Sequence, residues 1–235
     1  MNMKDRIGQA DWHNITASLH EKGYGLAPQI LTEEECRQLI AQYEDASLYR
    51  KTIIMEHHKY GRGEYKYFQY PLPGIIQNLR EAIYPQLAPV ANNWMDVLNI
   101  KKQFPPGLDS LLEHCHANGQ NRPTPLILKY ARGGYNALHQ DLYGDIYFPM
   151  QAVLFLSRPG EDYTGGEFVL IEQTPRAQSR AIVLNPGQGD MLLFTTNFRP
   201  AKGAKGYHRV NMKHGVSELT EGSRYTLGII FHDAA

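Results

Sequence analysis

From Pro125 to the end, the sequence is a succession of short β-type segments broken by glycine and proline, with no helical segment between them. The segments are Leu126–Tyr130, Phe148–Ser157, Glu167–Glu172, Ala181–Leu184, Asp190–Thr195 and Tyr225–Phe231. Between them stand turn-forming clusters such as Arg132-Gly133-Gly134, Thr164-Gly165-Gly166 and Asn185-Pro186-Gly187. Parallel strands need long crossovers, usually helices, so strands this closely spaced must pair antiparallel as a sandwich, barrel or jelly roll. The N-terminal part has a different texture. Thr32 followed by Glu35 has the form of a capping box, and Cys36, Leu39, Ile40 and Tyr43 then recur at helical spacing. Ile76, Leu79, Ile83, Leu87 and Val90 mark one face of a longer helix from Pro73 or Gly74 to about Leu98. A shorter helix covers Leu108–His116. The expectation is an α+β chain with a helical part over 1–124 packed on an all-β core over 125–235, within one domain of 235 residues.

Composition narrows the function classes. Lys plus Arg equals Asp plus Glu at 24 each, so no global field draws the chain to nucleic acid or an anionic membrane. Any nucleic-acid contact must come from a local patch. Cys36 and Cys115 are far apart and do not suggest a disulfide scaffold. Met1–Thr16 lacks the apolar run of a secretory signal, and runs such as Ala152–Leu156 are too short to span a bilayer. A soluble, cytoplasmic protein without membrane partners is expected.

The sharpest local feature is His139-Gln140-Asp141. On a strand, residues two apart point to the same side, so the imidazole and the carboxylate can hold two positions of one divalent cation. A second histidine from a distant strand would complete a two-histidine, one-carboxylate facial triad with open positions, the set suited to Fe(II). Taken alone, His-x-Asp is a weak signal and reads rather as a solvated strand end. Further along, His214 and Arg224 each stand at the start of a strand candidate, ten positions apart, and Thr226 shares a strand face with Arg224. A guanidinium beside a hydroxyl inside a barrel suits a dicarboxylate tail. The alternative for such an arginine is a buried ion pair with a local carboxylate.

Together these residues resemble the double-stranded β-helix family of Fe(II)/2-oxoglutarate-dependent oxygenases. The resemblance spans roughly Pro125–Ala235 and implies Fe(II), 2-oxoglutarate and O₂ as cofactor and co-substrates. By that resemblance His139, Asp141 and His214 are the metal ligands and catalytic centre. Arg224 and Thr226 bind the distal carboxylate of 2-oxoglutarate, with Tyr130 as a further hydrogen-bonding group. His208 is the competing ligand, but it lacks the ten-residue offset to an arginine. His114-Cys115-His116 is assigned no metal, because residues two apart on a helix diverge by about 200°.

The chain also resembles a bacterial group of these oxygenases described as acting on damaged nucleic acid, in a role like that of AlkB. One departure is Ile230, where AlkB proteins carry a second arginine. Arg199, Lys202, Lys205, Arg209 and Lys213 form a basic run before His214 that could contact phosphates, or could be a solvated face. Three functions are therefore open: oxidative demethylation or hydroxylation of damaged nucleic acid, a prolyl-4-hydroxylase-like hydroxylation of protein or amino acid, and a non-catalytic cupin-like metal-binding module. The discriminating segments are Leu142–Pro149 and Arg50–Phe68. If they line the metal mouth as a basic, aromatic groove, nucleic acid is favoured; if they close a small pocket, a free amino acid is.

Overall fold

The computed structural model describes residues 1–235. The N-terminal elements are α1 (Met3–Gly8), α2 (Trp12–Lys22), β1 (Tyr24–Ala27), α3 (Glu33–Ala41), β2 (Tyr49–Ile54), β3 (Gly61–Arg62), β4 (Glu64–Phe68), α4 (Gly74–Val97) and α5 (Leu108–Ala117). Ten strands follow. They are β5 (Leu126–Ala131), β6 (Tyr135–His139), β7 (Met150–Phe155), β8 (Tyr163–Gly165), β9 (Phe168–Gln173), β10 (Arg180–Leu184), β11 (Met191–Thr195), β12 (Phe198–Gly203), β13 (Gly206–Val216) and β14 (Leu219–Ile229). The major sheet runs β1-β11-β7-β14-β5-β4-β2, with β8 also on β14. The minor sheet runs β10-β9-β13-β6-β3, with β12 also on β13.

The expected jelly roll is present, and side-chain alternation explains its two cores. Met150, Ala152 and Leu154 of β7, with Met191 and Leu193 of β11, point toward the helices and join the largest buried cluster. Val153, Phe155, Leu192 and Phe194, from the same two strands, point the other way. They meet Phe168, Leu170, Val210 and Met212 of the minor sheet. A strand buried on both faces reads as a continuous apolar run, which is why β7 and β11 do. Each such side chain contributes roughly 1.5–3 kcal/mol relative to exposure.

The three expected helices form as read. The Thr32 hydroxyl accepts from the Glu35 N–H at 3.2 Å, and the Glu35 carboxylate accepts from the Thr32 N–H at 2.7 Å, closing the capping box. Ile76, Leu79, Ile83, Leu87 and Val90 are all buried along α4.

The first 124 residues are less purely helical than expected. β1 pairs with β11 at one edge of the major sheet, and β4 and β2 extend the other beyond β5, so three N-terminal strands cover edges that would otherwise be open. The C-terminal part has ten strands, with β8 and β12 folded back on β14 and β13. The basic run of residues 199–213 lies in the β12–β13 hairpin, paired from Phe198↔Asn211 to Gly203↔Gly206, and not in a loop. No helix is long and apolar enough to cross a membrane.

Candidate active site

His139 is the last residue of β6, and His214 lies directly opposite it on β13. Their ring centroids are 4.2 Å apart and the rings are tilted by 50°. Asp141 follows in the connection to β7. Its Oδ1 is 3.4 Å from His139 Nε2 and its Oδ2 is 3.2 Å from His214 Nε2. One ligand atom from each of the three lies within 4.8 Å of the others, a group that could hold a metal ion.

Each histidine presents Nε2 for a separate reason. His139 Nδ1 is 2.7 Å from the Ala137 carbonyl, which can only accept, so Nδ1 carries the proton and Nε2 has its lone pair free. His214 is held by packing, with its ring stacked on Phe168 at 6.0 Å and edge-on to Phe194 at 4.8 Å.

Asp141 supports a charge on either imidazole, while the two imidazoles oppose one another. Burial alone would raise the Asp141 pKa, but the two imidazoles outweigh it and hold the carboxyl well below its ordinary range. Burial would lower His139, but the hydrogen bond and charge of Asp141 leave it raised. Burial, then the neighbouring His139, lower His214. Such a site is an ionised carboxylate between two imidazoles, the donor set of a divalent transition metal.

Arg224 and Thr226 are two apart on β14, both buried. Arg224 lies opposite Tyr130 of β5 in the ladder. The guanidinium is surrounded by the rings of Tyr130, Phe155 and Tyr163 at 5.7, 5.4 and 5.9 Å. None of its three nitrogens has a hydrogen-bond partner. The local ion pair that was the alternative does not form. A buried, unpartnered guanidinium is costly, and an anion entering the cavity would relieve it. The residues therefore fit 2-oxoglutarate, since a group that could hold a metal ion and an unpaired guanidinium line the same cavity.

The cavity holding these groups has a volume of about 570 Å³, within the ordinary range for ligand sites. Tyr130 and Thr226 line it, as do Lys51, His58, Lys59, Tyr60, Tyr65 and Tyr67 from the β2–β4 region and Tyr143 after Asp141.

Other sequence expectations need correction. His214 stands near the end of β13 and Arg224 in the middle of β14, not at strand starts. His208 is exposed on the hairpin, six residues from His214, or roughly 20 Å along a strand. His114 is exposed, Cys115 is buried and His116 pairs with Asp233 at 2.9 Å, so that segment ties α5 to the C-terminus. None of the five residues of the basic run lines the cavity. Arg199 is buried against Glu172 at 2.6 Å, and Arg209 lies 5.0 Å over the Phe198 ring. The hairpin grows away from the metal site, carrying Lys202 and Lys205 outward. Two polar contacts on Asp141 escaped sequence reasoning, from Tyr143 and Gln151. The available signal for Gln151 was a single polar residue within a fully buried strand.

The fold is a double-stranded β-helix, and the three side chains gathered inside it could hold a metal ion. A family model described as an oxygenase catalysing oxidative methylation of damaged DNA matches residues 63–234, and the chain belongs to that family. It is 40% identical over 224 residues to an uncharacterized protein of Mycobacterium tuberculosis, covering 95% of this chain and 91% of that one. Solved structures share the fold. A Pseudomonas putida prolyl-4-hydroxylase aligns with a TM-score of 0.55 at 16% identity, over 95% of this chain and 99% of that one. A Burkholderia pseudomallei oxidoreductase of the 2OG-Fe(II) oxygenase family gives 0.53 at 16%, over 97% and 94%.

Proposed function

We propose that this protein oxidises alkylated or otherwise damaged bases in nucleic acid. Fe(II) would be held by His139, Asp141 and His214, and 2-oxoglutarate by Arg224, Thr226 and Tyr130. Bound there, the metal and 2-oxoglutarate would supply an O₂-consuming oxidative decarboxylation that gives succinate and CO₂ and hydroxylates a nearby C–H bond. The chain contributes position and charge. Arg224 neutralises the distal carboxylate in a buried setting, where a fork of donors is worth most. His139 and His214 offer neutral nitrogens while Asp141 stays ionised. Tyr130, buried with its pKa raised to about 12 by burial, stays protonated, and its hydroxyl can donate to the co-substrate. An N-methyl group hydroxylated in this cavity would lose formaldehyde.

The observation that carries the substrate class is the outer wall of the cavity. Lys51, His58 and Lys59 are exposed there beside Tyr60, Tyr65 and Tyr67, and His58 and Tyr60 stack at 5.3 Å. Cationic groups for phosphate interleaved with aromatic faces for bases are what an unstacked nucleotide needs. One observation favours a protein or amino-acid substrate instead. Ile230, at the position of the second arginine of AlkB proteins, packs with Ile53, Tyr67 and Leu126 and so offers no charge of its own to read a base. The unpartnered Arg224 argues against a purely metal-binding module, which has no use for it.

The reading takes residues 1–235 as one catalytic domain, supported by a 39-residue core cluster that draws on all five helices and on strands of the major sheet. It places the enzyme in the cytoplasm, in keeping with two buried free thiols, Cys36 and Cys115. The test is succinate release from 2-oxoglutarate in the presence of methylated oligonucleotides, proline-containing peptides or free amino acids. Stimulation by the oligonucleotides alone supports nucleic acid. Stimulation by peptides or amino acids alone assigns the second class, and no succinate under any condition rules out the oxygenase.

A further inference from the structure

Asp141 is the one member of the triad that no strand holds. His139 closes β6, and His214 is paired on both sides, with His139 and with Leu170. Asp141 lies past the end of β6, and its side chain instead meets two polar groups. The Tyr143 hydroxyl donates to Oδ1 at 2.8 Å, and the Gln151 amide donates to Oδ2 at 2.8 Å. The same amide nitrogen is 3.4 Å from His214 Nε2.

We propose that Tyr143 and Gln151 are positioning residues that clamp the Asp141 carboxylate, one at each oxygen, and so set the metal affinity of the triad. The inference rests on the metal site proposed above. An ionised carboxylate has about four lone-pair positions. One donor on each oxygen stops rotation about Cβ–Cγ and still leaves a lone pair for a cation.

Both donors are fixed in their role. The Tyr143 hydroxyl, 2.8 Å from a carboxylate oxygen that has no hydrogen to give, can only donate to it. An ionised carboxylate only accepts, so it is the nitrogen end of the Gln151 amide that faces it.

The surroundings are built to the same end. Gln151 interrupts the apolar strand Met150–Phe155 and is itself buried. A buried amide without partners is costly, and this one is turned onto Asp141 and toward His214. Tyr143 is on the loop between β6 and β7, which Gln120 staples from beneath. The Gln120 amide donates to the carbonyls of Ile146 at 2.8 Å and Tyr143 at 3.2 Å, and accepts from the Ile146 N–H at 2.9 Å. Gly144, with φ +101°, passes so close that a Cβ there would lie 2.6 Å from the Gln120 side chain. The Tyr143 ring is edge-on to Tyr67 at 6.4 Å.

The test is calorimetric titration of Ni(II) into the intact metal-free protein, wild type against Tyr143→Phe and Gln151→Leu, with Gln151→Met as a second variant should Gln151→Leu fail to fold. Outer contacts of this kind are worth about 10- to 100-fold in metal affinity, and that loss is expected for each. Repeating both substitutions in an Asp141→Ala background separates positioning from packing. With the two histidines left, weaker Ni(II) binding is expected, and there the substitutions should cause no further loss. Unchanged affinity in both variants, with binding abolished in His139→Ala, overturns the clamp and leaves the metal site standing. Equal losses with and without Asp141 also overturn it. A wild-type protein that takes up no Ni(II) overturns the metal site, and the clamp with it.

Discussion

His139 and His214 face one another across the β6–β13 ladder, their rings 4.2 Å apart. β6 ends at His139, so the chain turns at that point and brings Asp141 back beside both rings. Two of the three candidate ligands are therefore fixed by a single strand pairing. A site on strands is held more precisely than one on loops. Arg224 belongs to the other sheet, so its distance from the His139–His214 pair is set by the packing of one sheet on the other.

Arg224→Ala should weaken 2-oxoglutarate binding. Losing one member of a buried, hydrogen-bonded charge pair costs about 2–5 kcal/mol, or roughly 30- to several-thousand-fold in affinity. Arg224→Lys should recover part of it, since a point charge replaces a planar fork. Thr226→Val should cost about 1 kcal/mol for one donor. An anaerobic co-substrate titration of the Fe(II) protein measures all three. Wild-type affinity in Arg224→Ala would remove the co-substrate assignment.

Arg199→Ala should act on stability and not on nucleic-acid binding. Its guanidinium is buried against Glu172. Removing it leaves the buried Glu172 with only the exposed Arg180 at 3.6 Å, a loss of about 3 kcal/mol. Urea unfolding should show that loss while oligonucleotide affinity of the folded protein is unchanged. The opposite pattern would restore Arg199 to a phosphate-binding role.

Neutralising Lys51 and Lys59 together should weaken oligonucleotide binding and flatten its salt dependence. Each lost phosphate contact lowers the log–log slope by about 0.7–0.9. Lys202→Ala with Lys205→Ala, on the distant hairpin, should leave the slope unchanged. A reversed result would move the nucleic-acid surface to the hairpin.

His232 makes stability fall in mild acid. Burial, then the charge of Arg80, push its pKa from 6.5 down to about 4. Below pH 6.5 the unfolded chain gains a proton that the folded chain refuses until about pH 4, so folding stability declines across that window. The full decline from this residue is about 3 kcal/mol. His232→Asn, which keeps an acceptor for the Phe148 N–H, should lose less stability between about pH 7 and about pH 4.5 than wild type does. An equal loss would assign the acid sensitivity elsewhere.

Short-range patterns were the legible part of the sequence. The Thr32–Glu35 capping box, the apolar stripe of α4, the His139–Asp141 pair and the Arg224–Thr226 pair each depend on residues within a few positions. What stayed hidden depends on distant partners. β2 has Lys51 and Thr52 exposed and pairs only with β4 at the sheet edge, so it shows no clear alternation. The β12–β13 hairpin reads as a basic loop because most of its side chains meet solvent. Arg199 looks like its basic neighbours until Glu172, 27 residues away, is placed beside it.

The most direct measurement is the metal-to-ligand charge-transfer band that forms when 2-oxoglutarate is added anaerobically to the Fe(II) protein. It reports a chelate of co-substrate on iron, and needs the metal ligands and the Arg224 site together. The band should appear in wild type and in His208→Ala, be lost in His139→Ala, Asp141→Ala and His214→Ala, and require far more 2-oxoglutarate in Arg224→Ala. No band in wild type, or a band that survives His214→Ala and disappears in His208→Ala, would contradict the site.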